Sequence, residues 1–168
     1  ANPLSSIIKT LDQQGFNFDV ASTGELAQVL AQGIDPKRVL NTGPAKSKKQ
    51  LSTFLVQGVN TFVVESLNQL NWLNESAKEL KLRPQVLLRV QLQWPEGDKN
   101  PLGGNCITPF GLSVKEWSRI KVSDYPQLDL CGLHIFQWGN MLSNEKMFSL
   151  WSQMVEPLTS LADEIGMT

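Results

Sequence analysis

Residues 16–25 read Phe16-Asn17-Phe18-Asp19-Val20-Ala21-Ser22-Thr23-Gly24-Glu25, and their order is that of a strand turning into a helix. Apolar residues alternate with polar ones over 16–20, which is strand period, and Ser22 followed three residues later by Glu25 is the S-x-x-E pattern of a capped helix start. Two acids, Asp19 and Glu25, then stand where the strand ends. In α/β proteins built from repeated strand–helix units, that is the side on which ligands bind. An N-cap with an ordinary first-turn acid is the other reading of the same residues. Repetition of the unit downstream separates the two.

The unit does repeat. Helical spacing is expected over 3–14, 23–32, 48–57, 67–80, 114–120 and 146–165, and strand character over 16–20, 38–41, 61–64, 85–92 and 128–135. The early helices run into Gly15, Gly33, Gly58 or Arg83-Pro84, all stop signals, and Pro157 predicts a kink in the last helix. Between 93 and 112 lies a longer irregular stretch rich in Pro and Gly, the kind that forms a functional lid or a disordered segment. Strands such as Phe62-Val63-Val64 and Val86-Leu87-Leu88 are apolar on both faces, as in a parallel sheet covered by helices. The class is therefore α/β with about five parallel strands, either an open doubly wound sheet or part of an eight-stranded barrel. The nucleotide fingerprints of the open-sheet class, G-x-G-x-x-G and the P-loop, do not occur.

Composition narrows the partners. With 168 residues one domain is expected, and a formal net charge of -1 argues against nucleic-acid binding through a basic face. The one dense basic cluster, Lys46, Lys48 and Lys49, reads as a solvated helix start. Cys106 and Cys131 have neither the spacing of a metal site nor that of a disulfide framework, so two reduced thiols in a cytoplasmic protein are expected. No run reaches the length of a membrane span, and no signal-peptide layout opens the chain.

Polar residues collect just past the strands: Asp19 and Ser22, Asn41-Thr42-Gly43-Pro44, Glu65-Ser66, Arg89, and His134 with Gly139 and Asn140. Five successive strand ends point to one ringed pocket. Arg89 interrupts an apolar strand, and a buried guanidinium needs an anionic partner, which Asp19 or Glu25 could supply. Capping the strand end in solvent is the alternative. His134, the only histidine, reads either as a satisfied core residue or as a site residue, with Phe136, Gln137 and Trp138 beside it offering aromatic faces for a planar ring. Trp72, Trp94, Trp117 and Trp151 read as packing residues.

Ala1-Asn2-Pro3, the stretch from Phe18 to Leu26, Asn41-Thr42-Gly43-Pro44-Ala45-Lys46-Ser47, Val64-Glu65-Ser66-Leu67, Leu88-Arg89-Val90, Phe110-Gly111-Leu112 and Gly132-Leu133-His134 occur in a telling order. That order resembles the alanine-racemase-like barrel of the pyridoxal-phosphate-dependent diaminopimelate, ornithine and arginine decarboxylases. The resemblance implies a partial (β/α)8 TIM barrel with pyridoxal 5'-phosphate at its carboxyl-end mouth, an added β domain, and a homodimer sharing its active site. It implies that Asp19 and Glu25 match the two acids of the family's D-x-A-S-x-x-E motif, and that Arg89 partners those acids close to the cofactor ring. Residues 134–140 fall on the segment where a histidine stacks on the ring and a serine after glycine binds phosphate. Among them His134, Phe136, Gln137, Gly139 and Asn140 are the implied cofactor contacts.

That segment departs from the family pattern G-x-H-x-H-x-G-S, with one extra residue, Phe136 or Gln137 where the stacking histidine belongs, and Asn140 for the serine. Pro109 replaces the basic residue of the family's K-F-G. The resemblance places the Schiff-base lysine immediately before Ala1, and the glycine-rich phosphate strand and β domain beyond Thr168. Residues 1–168 are accordingly expected to be strands two to six of the barrel, a single domain. The implied function is decarboxylation of an amino acid by the complete protein, the segment alone being inactive. A catalytically silent barrel acting as a binding or regulatory module is the alternative, favoured by Phe136-Gln137-Trp138. An unrelated open-sheet nucleotide binder is a third reading, and 20–24 would make it a poor phosphate loop.

Overall fold

The computed structural model describes residues 4–93, 108–137 and 142–167. Along them run α1 (Ser5–Gln13), β1 (Phe18–Val20), α2 (Thr23–Leu30), β2 (Val39–Asn41), α3 (Lys48–Val56), β3 (Thr61–Val64), α4 (Leu67–Leu80), β4 (Gln85–Gln91), β5 (Leu112–Ser113), α5 (Val114–Trp117), β6 (Asp129–His134) and α6 (Asn144–Ile165). The first three strand-to-helix turns use one device. Ser22, Ser47 and Ser66 each accept a hydrogen bond from the backbone N–H three residues on, at 3.2 Å. Each such cap is worth about 1 kcal/mol and aims the helix back across the sheet.

The strands are parallel and lie in the order β1-β2-β3-β4, with β6 on the other side of β4 and the short β5 pairing the last two residues of β4. Strand order thus follows chain order and never reverses. A doubly wound sheet reverses at a switch point, so that reading and the nucleotide binder attached to it fall away. Right-handed crossovers between successive neighbours put the helices on one face, the geometry of a barrel arc. On the helix-facing side Phe18, Val20, Val39, Phe62, Val64, Val86, Leu88 and Val90 are buried against Leu26, Leu51, Phe54, Leu70, Leu73 and Trp117.

The opposite face carries Asp19, Val63, Leu87, Arg89 and Gln91, since side chains alternate along a strand. On β6 the alternation is broken. Val86 pairs Leu130 but Leu87 pairs Gly132, leaving Cys131 as the extra residue of a β-bulge. Beyond it Leu133 joins the helix-side core while His134 lies opposite Arg89. Without that bulge, strict alternation from the buried Leu130 would have turned His134 toward the helices.

The expected elements are found with shifted ends. Residues 16–17 stay outside β1, because its pairing with β2 begins at Phe18 and Val39. Helix α5 is shorter than the expected 114–120, and α6 starts at Asn144 and runs through Pro157. The carbonyl that Pro157 leaves unpaired belongs to Gln153, an exposed residue. Helix α4 ends on Lys81 in the left-handed conformation, φ 55°, before Arg83-Pro84 is reached. Trp117 is fully buried and Trp72 packs against the core, whereas Trp151 is 56% exposed on α6. Trp94, Trp138, Cys106 and most of the irregular stretch expected over 93–112 lie outside the described residues. No helix among the described residues is long and apolar enough to cross a membrane.

Candidate functional site

Arg89 sits in the middle of β4 on the face away from the helices and is clamped from several directions. Its Nη1 donates to Glu65 Oε1 at 3.2 Å, and its Cζ lies 4.7 Å from the centre of the Phe110 ring. Its backbone carbonyl accepts from Trp117 Nε1 at 2.8 Å. Gly111, at φ +81°, passes so close that a Cβ there would meet that carbonyl oxygen at 2.4 Å. Position 111 therefore takes only glycine, for both its φ and its closeness.

The partner of Arg89 is Glu65, where the sequence pointed to Asp19 or Glu25. Glu65 follows β3 directly, is buried, and has one carboxylate oxygen, Oε2, with no hydrogen-bond partner among the described residues. Lys46 Nζ approaches Glu65 Oε1 at 3.9 Å and donates to the carbonyls of Val63, at 2.7 Å, and of Gly43. Lys46 is thus buried, which corrects its reading as part of a solvated cluster; Lys48 does remain at the surface, paired with Glu75. Burial pushes the Lys46 ammonium down to about 8, with Glu65 pulling the other way. Gln69 ties the rim together, accepting from the Glu65 N–H at 2.9 Å and donating to the Pro44 carbonyl at 2.7 Å.

A cavity of about 330 Å³ opens over this network, lined by Asp19, Thr42, Pro44, Arg89, Phe110, His134 and Phe136 among others. Strands β1, β4 and β6 with the turns after β2 and β4 supply that wall, so several strand ends do ring one pocket. Asp19 Oδ1 accepts from the Thr42 hydroxyl at 2.5 Å, which leaves its other oxygen for the cavity. His134 Nδ1 is buried without a hydrogen-bond partner among the described residues. Burial first, and the Arg89 charge second, hold the imidazole pKa below its ordinary value, so it is neutral at pH 7.

Other expected contacts are placed elsewhere. The Glu25 carboxylate turns back and accepts from the Ala21 N–H at 2.7 Å, and it borders a separate cavity at the free edge of β1, with Ile7, Ile8, Leu11 and Phe18. It is therefore not in contact with Arg89. Gln137 is buried, and its amide both accepts from the Leu92 N–H at 2.6 Å and donates to the Leu92 carbonyl at 2.9 Å, continuing the β4–β6 pairing with a side chain. Gly139 and Asn140 lie outside the described residues. Lys46, Phe110 and Trp117 are site residues that the sequence reading did not assign to the pocket, and Glu65, counted there among the strand-end polar groups, was not named as the partner of Arg89. Glu65 carried a signal, since an acid directly after the apolar run 62–64 is as anomalous as Arg89 is.

The cavity's chemistry suits a flat, polar-edged ring. Phe110, Phe136 and a neutral imidazole offer faces, Arg89 a cation and Asp19 an acid, and the volume falls in the range of small-molecule sites. The unpartnered His134 Nδ1 and the one-sided stacking of Phe110 on Arg89 fit a pyridine ring bearing polar substituents.

The family model described as "Pyridoxal-dependent decarboxylase, pyridoxal binding domain" matches residues 1–168. A diaminopimelate decarboxylase of Pseudomonas aeruginosa is 39% identical over 99% of this chain and 40% of its own length. The chain thus spans about 40% of the curated relatives it matches. The crystal structure of diaminopimelate decarboxylase from Helicobacter pylori complexed with L-lysine superposes with a TM-score of 0.70 at 25% identity, over 80% of this chain and 35% of that one. An arginine decarboxylase of Paramecium bursaria Chlorella virus, bound to agmatine, shares the fold with a TM-score of 0.77 at 20% identity, over 99% and 43%.

Proposed function

The chain belongs to the pyridoxal-dependent decarboxylase family, as part of its pyridoxal binding domain, and on that premise we propose that it supplies one wall of the cofactor site of an amino-acid decarboxylase. The family's cofactor is pyridoxal phosphate. When bound, its ring serves as the electron sink for the carbanion left by loss of carbon dioxide. The chain's own residues bind and orient. Arg89 and Asp19 would offer the bound cofactor opposite charges, and the neutral His134 imidazole and Phe136 would offer it ring faces. Glu65 and Phe110 hold the guanidinium in place. Glu25 acts one step back, by fixing the turn that carries Asp19, and Gln137 by fixing the strand end that carries His134 and Phe136. Gly139 and Asn140 keep their assignment to the phosphate through the family motif alone.

The observation that carries this reading is Arg89, charged and clamped by Glu65, Phe110 and Trp117, in one cavity with Asp19 and His134. Arg89→Ala in the complete protein leaves Glu65 buried beside only Lys46, a loss of about 3 kcal/mol in stability, and strips the cavity of its cation. Dialysed protein should then retain far less cofactor, read from its absorbance. Full retention by a folded Arg89→Ala variant would overturn the assignment.

The same reading gives an amino-acid substrate, a homodimer, a cytoplasmic setting, and no activity for residues 1–168 alone. A catalytically silent barrel that only binds is the second reading, favoured by Phe136 lining the cavity where the family stacks a histidine. Release of carbon dioxide from candidate amino acids by the cofactor-loaded complete protein separates the two.

A further inference from the structure

We propose that Lys46 and Glu65 are positioning residues: a buried chain of charges, Lys46 to Glu65 to Arg89, crosses the ends of β2, β3 and β4 and fixes where the guanidinium stands in the cavity. This rests on the reading of Arg89 as a cofactor-site residue. Side-chain exposure rises along the chain from 0% at Lys46 and 1% at Glu65 to 12% at Arg89, so only the last member meets the cavity. Lys46 does not line that cavity and can act there only through Glu65.

The charge on Lys46 makes the arrangement a switch. The ammonium donates to two carbonyls, those of Val63 and Gly43, and holds Glu65 by charge alone, its Oε1 lying 3.9 Å away, beyond hydrogen-bond reach. A neutral amine keeps two N–H donors for the two carbonyls but has no charge for the carboxylate, so loss of the proton releases Glu65 first. Glu65 Oε1 is also the atom that receives Arg89 Nη1, so its freedom passes directly to the guanidinium. The charged and titratable groups around Lys46 are Glu65 past β3, Arg89 on β4, Asp19 on β1 and His134 on β6; Glu65 and Asp19 stabilise the ammonium, and Arg89 opposes it. With burial the largest influence, the amine titrates near pH 8.

The test measures the dissociation constant of pyridoxal phosphate for the complete protein by absorbance titration, from about pH 6.5 to about pH 9.5, without turnover. Wild type is compared with Lys46→Arg, Lys46→Met and Glu65→Gln, with circular dichroism and thermal unfolding as folding controls. Wild type should bind about tenfold more weakly above the Lys46 transition, the effect expected when a ligating group loses the partner that orients it. Lys46→Arg, whose charge does not titrate in this range, should lose the alkaline step. Lys46→Met should bind weakly throughout, and Glu65→Gln should also lack the step. A step that persists unchanged in Glu65→Gln, or wild-type binding at all pH values by folded Lys46→Met, overturns the proposal. Should neither lysine variant fold, the wild-type and Glu65→Gln profiles decide alone. Loss of cofactor by Arg89→Ala with undisturbed Lys46 variants would sink only this inference; retention by Arg89→Ala would sink the reading beneath it.

Discussion

At the scale of single residues, the site is governed by what burial does to charge. Arg89 and Glu65 are tolerable inside the sheet only as a pair, and Lys46 only because two carbonyls accept from it and the Glu65 charge lies near it. Stability and function should therefore respond to pH in opposite senses. The folded-state pKa of Lys46 is depressed from 10.5 to about 8, so between those values the unfolded chain binds more protons than the folded one. Stability contributed by this group then rises with pH across that window and is lost as pH falls toward 8. Urea unfolding at both ends should show wild type gaining on Lys46→Met as pH increases, while its cofactor binding weakens. A stability gap that does not change with pH would mean Lys46 is not buried as a charge.

Among elements, β6 shows how one residue decides which side of a sheet performs chemistry. The bulge at Cys131 absorbs an extra residue, after which His134 faces Arg89 across the strand pair. Deleting Cys131, which is exposed, turns the bulge into a regular ladder and leaves Gly132 opposite Leu87 and His134 opposite Arg89. Cofactor retention should survive that deletion. Deleting Leu133 restores the same spacing between Leu130 and His134 but removes a side chain that packs β6 on the helix-side core, so it should cost stability that the Cys131 deletion does not. Thermal unfolding and cofactor retention measured on both deletions check the register; loss of retention in the Cys131 deletion would refute it. The strand-to-helix turns are less delicate, since Ser22, Ser47 and Ser66 repeat one local cap.

For the whole molecule, sequential parallel order makes an arc whose helix side is packed and whose other side bears the polar cavity. A face of α6 stays out of that packing. On α6, Phe148, Trp151 and Val155 are 71%, 56% and 62% exposed and share one stripe by their spacing. Exposed apolar area of this kind drives association. For chain 1–168, Phe148→Glu with Trp151→Glu should lower the apparent mass in sedimentation velocity without changing helix content. Unchanged sedimentation would show the stripe to be inert.

Local chemistry was legible in the amino-acid order: strand and helix periods, the serine caps, the α/β class, the family motifs and the anomaly of a cation within an apolar strand. These follow from interactions between residues a few positions apart, so the chain carries them without folding. Strand order, the partner of Arg89, the burial of Lys46 and the face on which His134 lies were decided by tertiary structure alone. Each depends on groups brought together from distant segments, Glu65 with Arg89, Lys46 with Val63, and β6 with β4, whose pairing fixes where the extra residue of the bulge stands. Desolvation, which selects among possible ion pairs, exists only once the sheet and its helices have closed over them.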